Sequence, residues 1–343
     1  MGEGTGVRIL IVRTSALGDV VHALPVLTAL RRQLPAARIG WVVEEGMAPV
    51  LAGHPDLDEL LVVRLRRWRR LSPQGLRELA GFLSALDRFA PEVVLDLMGN
   101  HKAGVISALT LADRRIGPAR RWRREPSSAV WISQPVEPRG THAVDRMLSL
   151  LDALGLPPEP ADFGGEKLFR EEPAGALGAH PEPFVLLHPG AGWANKRYPV
   201  DWWGKAAQLI RAQTGLPIWV AAARGEEELA AGVEAAGAGA VRTVPAPDLA
   251  ALAALIRRAR LVLGGDSGPT HLAHALGTPV LMLMGPTDPE RHGPYAAPGN
   301  VLFKRLPCSF CYQRLEETKA CLLEIPPHRV AERAAELLRP SLP

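Results

Sequence analysis

The chain runs to 343 residues, 47% hydrophobic and 22% charged, which excludes a disordered or fibrous protein and allows two domains of ordinary size. Three cysteines do not make a disulfide framework and point to a reducing compartment. No apolar run reaches the roughly 20 residues of a membrane-spanning helix, and the opening Met1-Gly2-Glu3-Gly4-Thr5-Gly6 lacks the basic region of a signal peptide. The net charge of +4 lies wholly in the first half, where residues 1–160 carry 21 Lys and Arg against 17 Asp and Glu, while residues 161–343 carry 19 of each.

Taken in chain order, the pattern predicts strands over Val7–Arg13, Arg38–Glu44, Glu59–Arg64 and Glu92–Asp96. Between and after them it predicts helices over Asp19–Leu34, Met47–Ala52, Pro73–Phe89, Lys102–Leu111 and Thr141–Leu154. In the helix at 73–89, Leu76, Leu79, Phe82, Leu83 and Leu86 are expected on one buried face. A stretch rich in Pro and Gly between about 156 and 183 marks a connection. A second alternation follows, with strands at Phe184–His188, Leu216–Ala222, Ala240–Val244, Leu261–Leu263 and Val280–Met284. Its helices fall at Trp202–Thr214, Glu226–Ala236, Leu249–Arg258, Pro269–Leu276 and Pro327–Leu338. This is the βα rhythm of a doubly wound parallel sheet, met twice. The expected domains are residues 1–160 and 184–326, joined by a linker at 161–183 and closed by a helix within 327–343.

The most telling segment is Leu263-Gly264-Gly265-Asp266-Ser267-Gly268-Pro269-Thr270-His271-Leu272. A strand runs into a glycine turn, an acid and a hydroxyl, and a helix begins. Unsatisfied N–H groups and the dipole at a helix start favour an anion, glycines let a phosphate come close, and a carboxylate at such a turn suits a ribose hydroxyl. The plain alternative is a capped helix after a buried strand. A matched element stands at the other end of the chain, where Ile9–Val12 leads through Arg13-Thr14-Ser15-Ala16-Leu17-Gly18 to Asp19 and a helix. Asp19 stands where the strand gives way to the first helix, and its plain reading is a helix cap.

Basic clusters at Arg64–Arg70 and Arg114–Arg124 are either solvated arginines or a surface for an anionic partner, and no nucleic-acid signature accompanies them. The only Asp-x-Asp, Asp56-Leu57-Asp58, reads as a surface loop, so a departing phosphate would rely on helix-end amides and a cation. Cys308, Cys311 and Cys321 read as a reduced loop, with a partial metal knuckle as the lesser alternative.

The pattern Arg-Thr-Ser-x-x-Gly-Asp-Val-x-His-x-x-Pro at 13–25 resembles the opening of the ADP-heptose:lipopolysaccharide heptosyltransferases of glycosyltransferase family 9. The likeness continues in order through Trp41–Gly46, Arg66-Arg67-Trp68-Arg69, His188-Pro189-Gly190 with Lys196, Gly265–His271 and Gly285-Pro286-Thr287-Asp288-Pro289. It implies a GT-B fold, two Rossmann-like domains facing a central cleft, with the first binding the acceptor and the second the ADP-sugar. In this family the last helix crosses back to the first domain. The resemblance further implies metal-independent, inverting transfer of L-glycero-D-manno-heptose, with Asp19 as the base and no cofactor beyond the ADP-heptose donor. Ser15, Lys196, Glu227, Asp266, Ser267, Gly268, Thr270 and His271 are the expected donor-binding residues. For Lys196 the alternative is a surface lysine, for His271 simple packing, and Glu226 stands beside Glu227 as a candidate nucleoside contact.

Arg64, Arg67, Arg70, Lys102 and Arg120 are the expected acceptor contacts, their cations matching the acidic Kdo-lipid A inner core at the cytoplasmic face of the inner membrane. The expected protein is thus cytoplasmic and peripherally bound to that membrane. The Trp41 and Arg66 blocks resemble heptosyltransferase I, which adds the first heptose to Kdo. The rivals are heptosyltransferase II, an epimerase of related fold, and a lipid-binding module without catalysis.

Overall fold

The computed structural model describes residues 6–70, 72–170 and 182–339. The chain divides into two compact units, Met1–Arg170 and Glu171–Pro343. Residues 171–181 of the expected linker lie outside the described residues.

In the first unit the strands are β1 (Arg8–Val12), β2 (Arg38–Glu44), β3 (Glu59–Val63), β4 (Val93–Asp96), β5 (Arg114–Pro118) and β6 (Gln134–Val136). They form one sheet in the order β3-β2-β1-β4-β5-β6, with every adjacent pair parallel. This is the doubly wound dinucleotide-fold order, which reverses between β1 and β4. Ile9, Leu10, Ile11 and Val12 are wholly buried because helices cover both faces of the sheet. Helix α1 (Leu17–Gln33) seals it with Val20, Val21, Leu24, Leu27 and Leu30.

Helix α2 (Pro73–Phe89) starts at Ser72, whose hydroxyl accepts from the Gly75 N–H. Its buried stripe is Gly75, Phe82, Leu86 and Phe89, so the expected face needs correction. Leu76 and Leu83 each lie about 100° round the helix from that stripe and remain exposed. Helix α3 (His101–Leu109) is capped by Asn100, whose side chain accepts from the Ala103 N–H. The long helix expected at 141–154 is a short α-helix, Ala143–Leu148, tightening into 3₁₀ turns over Ser149–Leu154.

The second unit repeats the plan with β7 (Phe184–His188), β8 (Ile218–Ala223), β9 (Val241–Ala246), β10 (Ala259–Gly265), β11 (Val280–Met284) and β12 (Val301–Phe303). Its parallel sheet runs β12-β11-β10-β7-β8-β9. Counted from β7, this is the same order as in the first unit, with the reversal between β7 and β10. Helices α4 (Val200–Thr214), α5 (Glu227–Ala236) and α6 (Leu249–Arg258) follow their strands, and α7 (Gly268–Ala275) follows β10. The last helix, α8 (Pro327–Leu338), buries Val330, Ala331 and Ala334 in the second unit's own core, beside Trp203 and Ile210 of α4.

Candidate active site

In a doubly wound sheet, ligands collect beyond the carboxyl ends of the strands at the reversal of order. Each unit carries a polar cluster at that place.

In the first unit, β1 delivers Arg13 and the turn to α1 delivers Asp19. Arg13 Nη2 lies 2.5 Å from Asp19 Oδ1, and Arg13 Nη1 donates to the Leu97 carbonyl just past β4. Asp19 occupies the third position of α1, where Oδ2 accepts from the Ala16 N–H at 3.2 Å. The helix-cap reading therefore describes part of what Asp19 does, since the carboxylate reaches back to an orphan amide. Its side chain nonetheless remains 41% exposed, which leaves it accessible to a hydroxyl. Lys102, on the first turn of α3, bonds Glu44 Oε1 at 2.7 Å and lies 3.5 Å from Ser15 Oγ. Sequence reasoning put Ser15 with the donor and Lys102 with the acceptor, yet the structure brings the two together.

Arg64 and Arg67 converge on Glu45, at 2.7 and 3.1 Å, and Arg67 also meets Glu78 at 3.2 Å. The Arg64 hydrogen bond holds the Glu45 carboxyl below its usual range, against a smaller opposing effect of burial. Arg70 and Arg120 are exposed. Glu44 and Glu45 were missed as partners of these cations, although they belong to the quoted Trp41–Gly46 block. Asp96 at the end of β4 was also missed. It is wholly buried 2.5 Å from the equally buried Arg123 and accepts from the Met98 and Gly99 amides. That pair fixes the turn carrying Asn100, His101 and Lys102.

In the second unit the centre is Asp266, just past β10. Oδ2 accepts from Lys196 Nζ at 2.5 Å and from the Thr287 hydroxyl at 2.6 Å, while Oδ1 lies 3.0 Å from His271 Nε2. Burial works to raise this carboxyl, but the His271 hydrogen bond and the charges of Lys196, His271 and His292 outweigh it and hold it well below the usual carboxylate range. The ionised acid makes the His271 Nε2–H the donor. Asp266, expected as a ribose ligand, is thus buried and bonded to three side chains, where it aims Lys196 and His271. Lys196 also lies over the Trp193 ring, 4.4 Å from its centroid, so it is neither a loose surface lysine nor free to turn away.

Ser267 and Thr270 are buried with their hydroxyls 3.1 Å apart, and Gly268 opens α7. Pro269 falls in the first turn, where its missing N–H costs little. Gly264 is required by close approach: a Cβ there would meet Thr270 Oγ1 at 2.5 Å. Glu227 is exposed at the start of α5, whereas Glu226 turns inward. The Glu226 carboxyl lies over Gly190, where an added Cβ would come within 2.1 Å of it, and Oε2 is 3.8 Å from His188 Nε2. Of the two acids, Glu226 faces the strand ends. The Ala223–Glu226 turn leaves the Glu227 side chain on the surface at the start of α5.

His188 gives the second unit a pH dependence. Burial lowers its pKa from 6.5 to about 4. The unfolded chain takes up a proton as pH falls through 6.5, while the folded chain stays neutral until about 4. This contribution is therefore fully present above pH 6.5 and is lost as pH falls towards 4, up to about 3 kcal/mol. Burial raises the neighbouring Glu226 carboxyl, which works in the opposite sense and offsets part of the loss. Urea unfolding between pH 7.5 and 4.5 should show the decline, and His188→Gln should flatten it.

Among the described residues, no group of three His, Cys, Asp or Glu side chains is arranged to hold a metal ion. Cys308 and Cys311 are exposed and Cys321 is buried. No described helix is long and apolar enough to cross a membrane.

Two Rossmann-like units, each with a charged cluster at its switch point, make the plan of a GT-B glycosyltransferase. Residues 82–321 match the family model for glycosyltransferase family 9 (heptosyltransferase). The chain is 33% identical to lipopolysaccharide heptosyltransferase 1 of Pseudomonas aeruginosa over 96% of its own length and 98% of that protein's. It is 30% identical to lipopolysaccharide heptosyltransferase 1 of Escherichia coli K12, over 84% and 91%. The solved structure of E. coli heptosyltransferase WaaC with ADP superposes with a TM-score of 0.79 at 26% identity, covering 96% of this chain and 99% of that one. The chain belongs to glycosyltransferase family 9, the heptosyltransferases, and is a glycosyltransferase; its likeness to heptosyltransferase 1 runs over nearly its full length.

Proposed function

We propose that this protein is a heptosyltransferase I that moves L-glycero-D-manno-heptose from ADP-heptose onto the Kdo residue of the lipopolysaccharide inner core, with inversion. The observation that carries the donor half is the Lys196–Asp266–His271–Thr287 cluster at the start of α7, where a cation and helix-start amides suit a diphosphate. The acceptor oxygen attacks the anomeric carbon opposite the bond to ADP. That C–O bond breaks, ADP leaves with the electron pair, and Asp19 takes the hydroxyl proton. Lys196, held at its position by an ionised Asp266 and by Trp193, balances the charge gathering on the diphosphate. No metal and no further cofactor enters this scheme.

The acceptor half rests on the first unit's cations. Arg64 and Arg67 are gathered by Glu45, and Arg70 is exposed nearby in sequence. An acceptor carrying carboxylates and phosphates suits this group. On the same unit Leu111 is 86% and Val130 77% exposed. Arg115 ties their neighbours together, bonding the carbonyls of Ala112 and Trp131 at 2.6 and 2.8 Å. Exposed Arg120, Arg121 and Arg124 lie in the adjoining segment. Apolar knobs with arginines beside them fit an anionic bilayer surface, in line with peripheral attachment at the cytoplasmic face of the inner membrane.

Charge reversal at both Arg67 and Arg70 should raise the acceptor KM by roughly tenfold or more while leaving the KM for ADP-heptose within about twofold. An unchanged acceptor KM would remove these arginines from acceptor binding. Inversion is checked by the anomeric NMR signals of donor and product.

A further inference from the structure

The segment from 304 to 319, between β12 and the short helix Ala320–Leu323, has little regular structure but is firmly tied. Asn195 Nδ2 donates to the Gln313 carbonyl at 2.8 Å, and the Thr318 hydroxyl donates to the Arg197 carbonyl at 2.7 Å. On its other side the Tyr312 N–H donates to the Pro286 carbonyl at 3.2 Å, and Tyr312 Oη accepts from the Asp288 N–H at 3.4 Å. The strap is therefore fastened to two of the three segments that supply Asp266 with partners: the turn bearing Lys196 and the loop bearing Thr287.

This anchoring sets Arg314 on the Trp193 ring, its guanidinium carbon 4.9 Å from the centroid. Lys196 lies 4.4 Å from the same centroid. Two cations thus share one indole. Lys196 has Asp266 as its counter-charge. Among the described residues Arg314 has no carboxylate partner; the strap's own Glu317 is bonded to Lys319. Both charges lie within about 5 Å of one ring centre, so they are at most about 9 Å apart and repel each other unless an anion joins them, and the planar guanidinium presents two parallel donors suited to phosphate oxygens.

We propose that Arg314 is a second cation for the donor's diphosphate, stacked beside Lys196 on Trp193 and delivered by the 304–319 strap. This rests on the reading of the Lys196 cluster as the phosphate site. Trp193 then acts as a positioning residue, holding both cations over one ring so that little side-chain freedom is lost when the diphosphate arrives.

The test is isothermal titration of ADP and of AMP into the full-length protein and its Arg314→Gln, Arg314→Lys and Lys196→Gln variants, with melting temperatures recorded alongside. Arg314→Gln is expected to weaken ADP by about tenfold and AMP by clearly less, at an unchanged melting temperature, with Arg314→Lys recovering most of the loss. If Lys196→Gln weakens ADP while Arg314→Gln leaves it within twofold, or if Arg314→Gln weakens ADP and AMP equally, Arg314 only packs and the inference is overturned. If neither variant weakens ADP, the phosphate-site reading falls, and the role of Arg314 falls with it.

Discussion

Asp19→Asn should cut kcat by about 10²- to 10⁴-fold, the usual worth of a positioned general base, while donor binding stays within about twofold. The substitution separates the cap that this side chain makes from the proton transfer proposed for it. An asparagine oxygen can still accept from the Ala16 N–H, so the start of α1 keeps its cap. What it cannot do is take a proton. It also removes the charge facing Arg13, which lies 2.5 Å away and bonds the Leu97 carbonyl past β4. Steady-state transfer rates with a calorimetric donor titration distinguish the cases. Loss of kcat with intact binding supports the base, and an equal loss of both would mean that Asp19 merely shapes the turn.

Arg123→Met should be the most destabilising single change in the first unit. Arg123 and Asp96 are both 0% exposed, and Arg123 also donates to Ser128 Oγ at 2.7 Å and to the Pro118 carbonyl at 3.3 Å. Removing one partner of a buried pair leaves the other as an uncompensated charge, a cost of about 3–5 kcal/mol. For a unit of this size that is a fall in melting temperature of roughly 10 °C. The double variant Asp96→Leu/Arg123→Met should recover much of the loss, since removing both charges costs less than stranding one. Activity should fall with the single variant, because Asp96 holds the turn that leads to Lys102.

The sequence carried much of this plan. Buried strands such as Ile9–Val12 and Val280–Met284 are unbroken apolar runs, and α2, α3 and α6 start at the capping residues Ser72, Asn100 and Asp248. β5 and β6 were not read because Arg114-Arg115, Gly117, Pro118 and Pro135 are poor strand formers. They hold their places by pairing in the sheet, with β6 at its edge, where a proline is tolerated. Asp19, Lys196, Asp266, Ser267 and His271 were all singled out from motif position. What motif position could not reveal is which atoms meet: that Asp266 is buried under three partners, and that Glu226 rather than Glu227 turns inward. Such details depend on a single turn of backbone and on contacts between residues 5 to 70 positions apart. Arg314 had no sequence signal, because its placement depends on a strap without regular structure.

The transfer itself is measured directly by a mass-spectrometric assay with ADP-heptose, offering Kdo-lipid A and the already monoheptosylated acceptor in parallel. The expected result is a gain of one heptose on Kdo-lipid A alone, lost in Asp19→Asn. A gain only on the heptosylated acceptor would make the enzyme a heptosyltransferase II, and no gain on either acceptor, with ADP still bound, would contradict the proposed reaction.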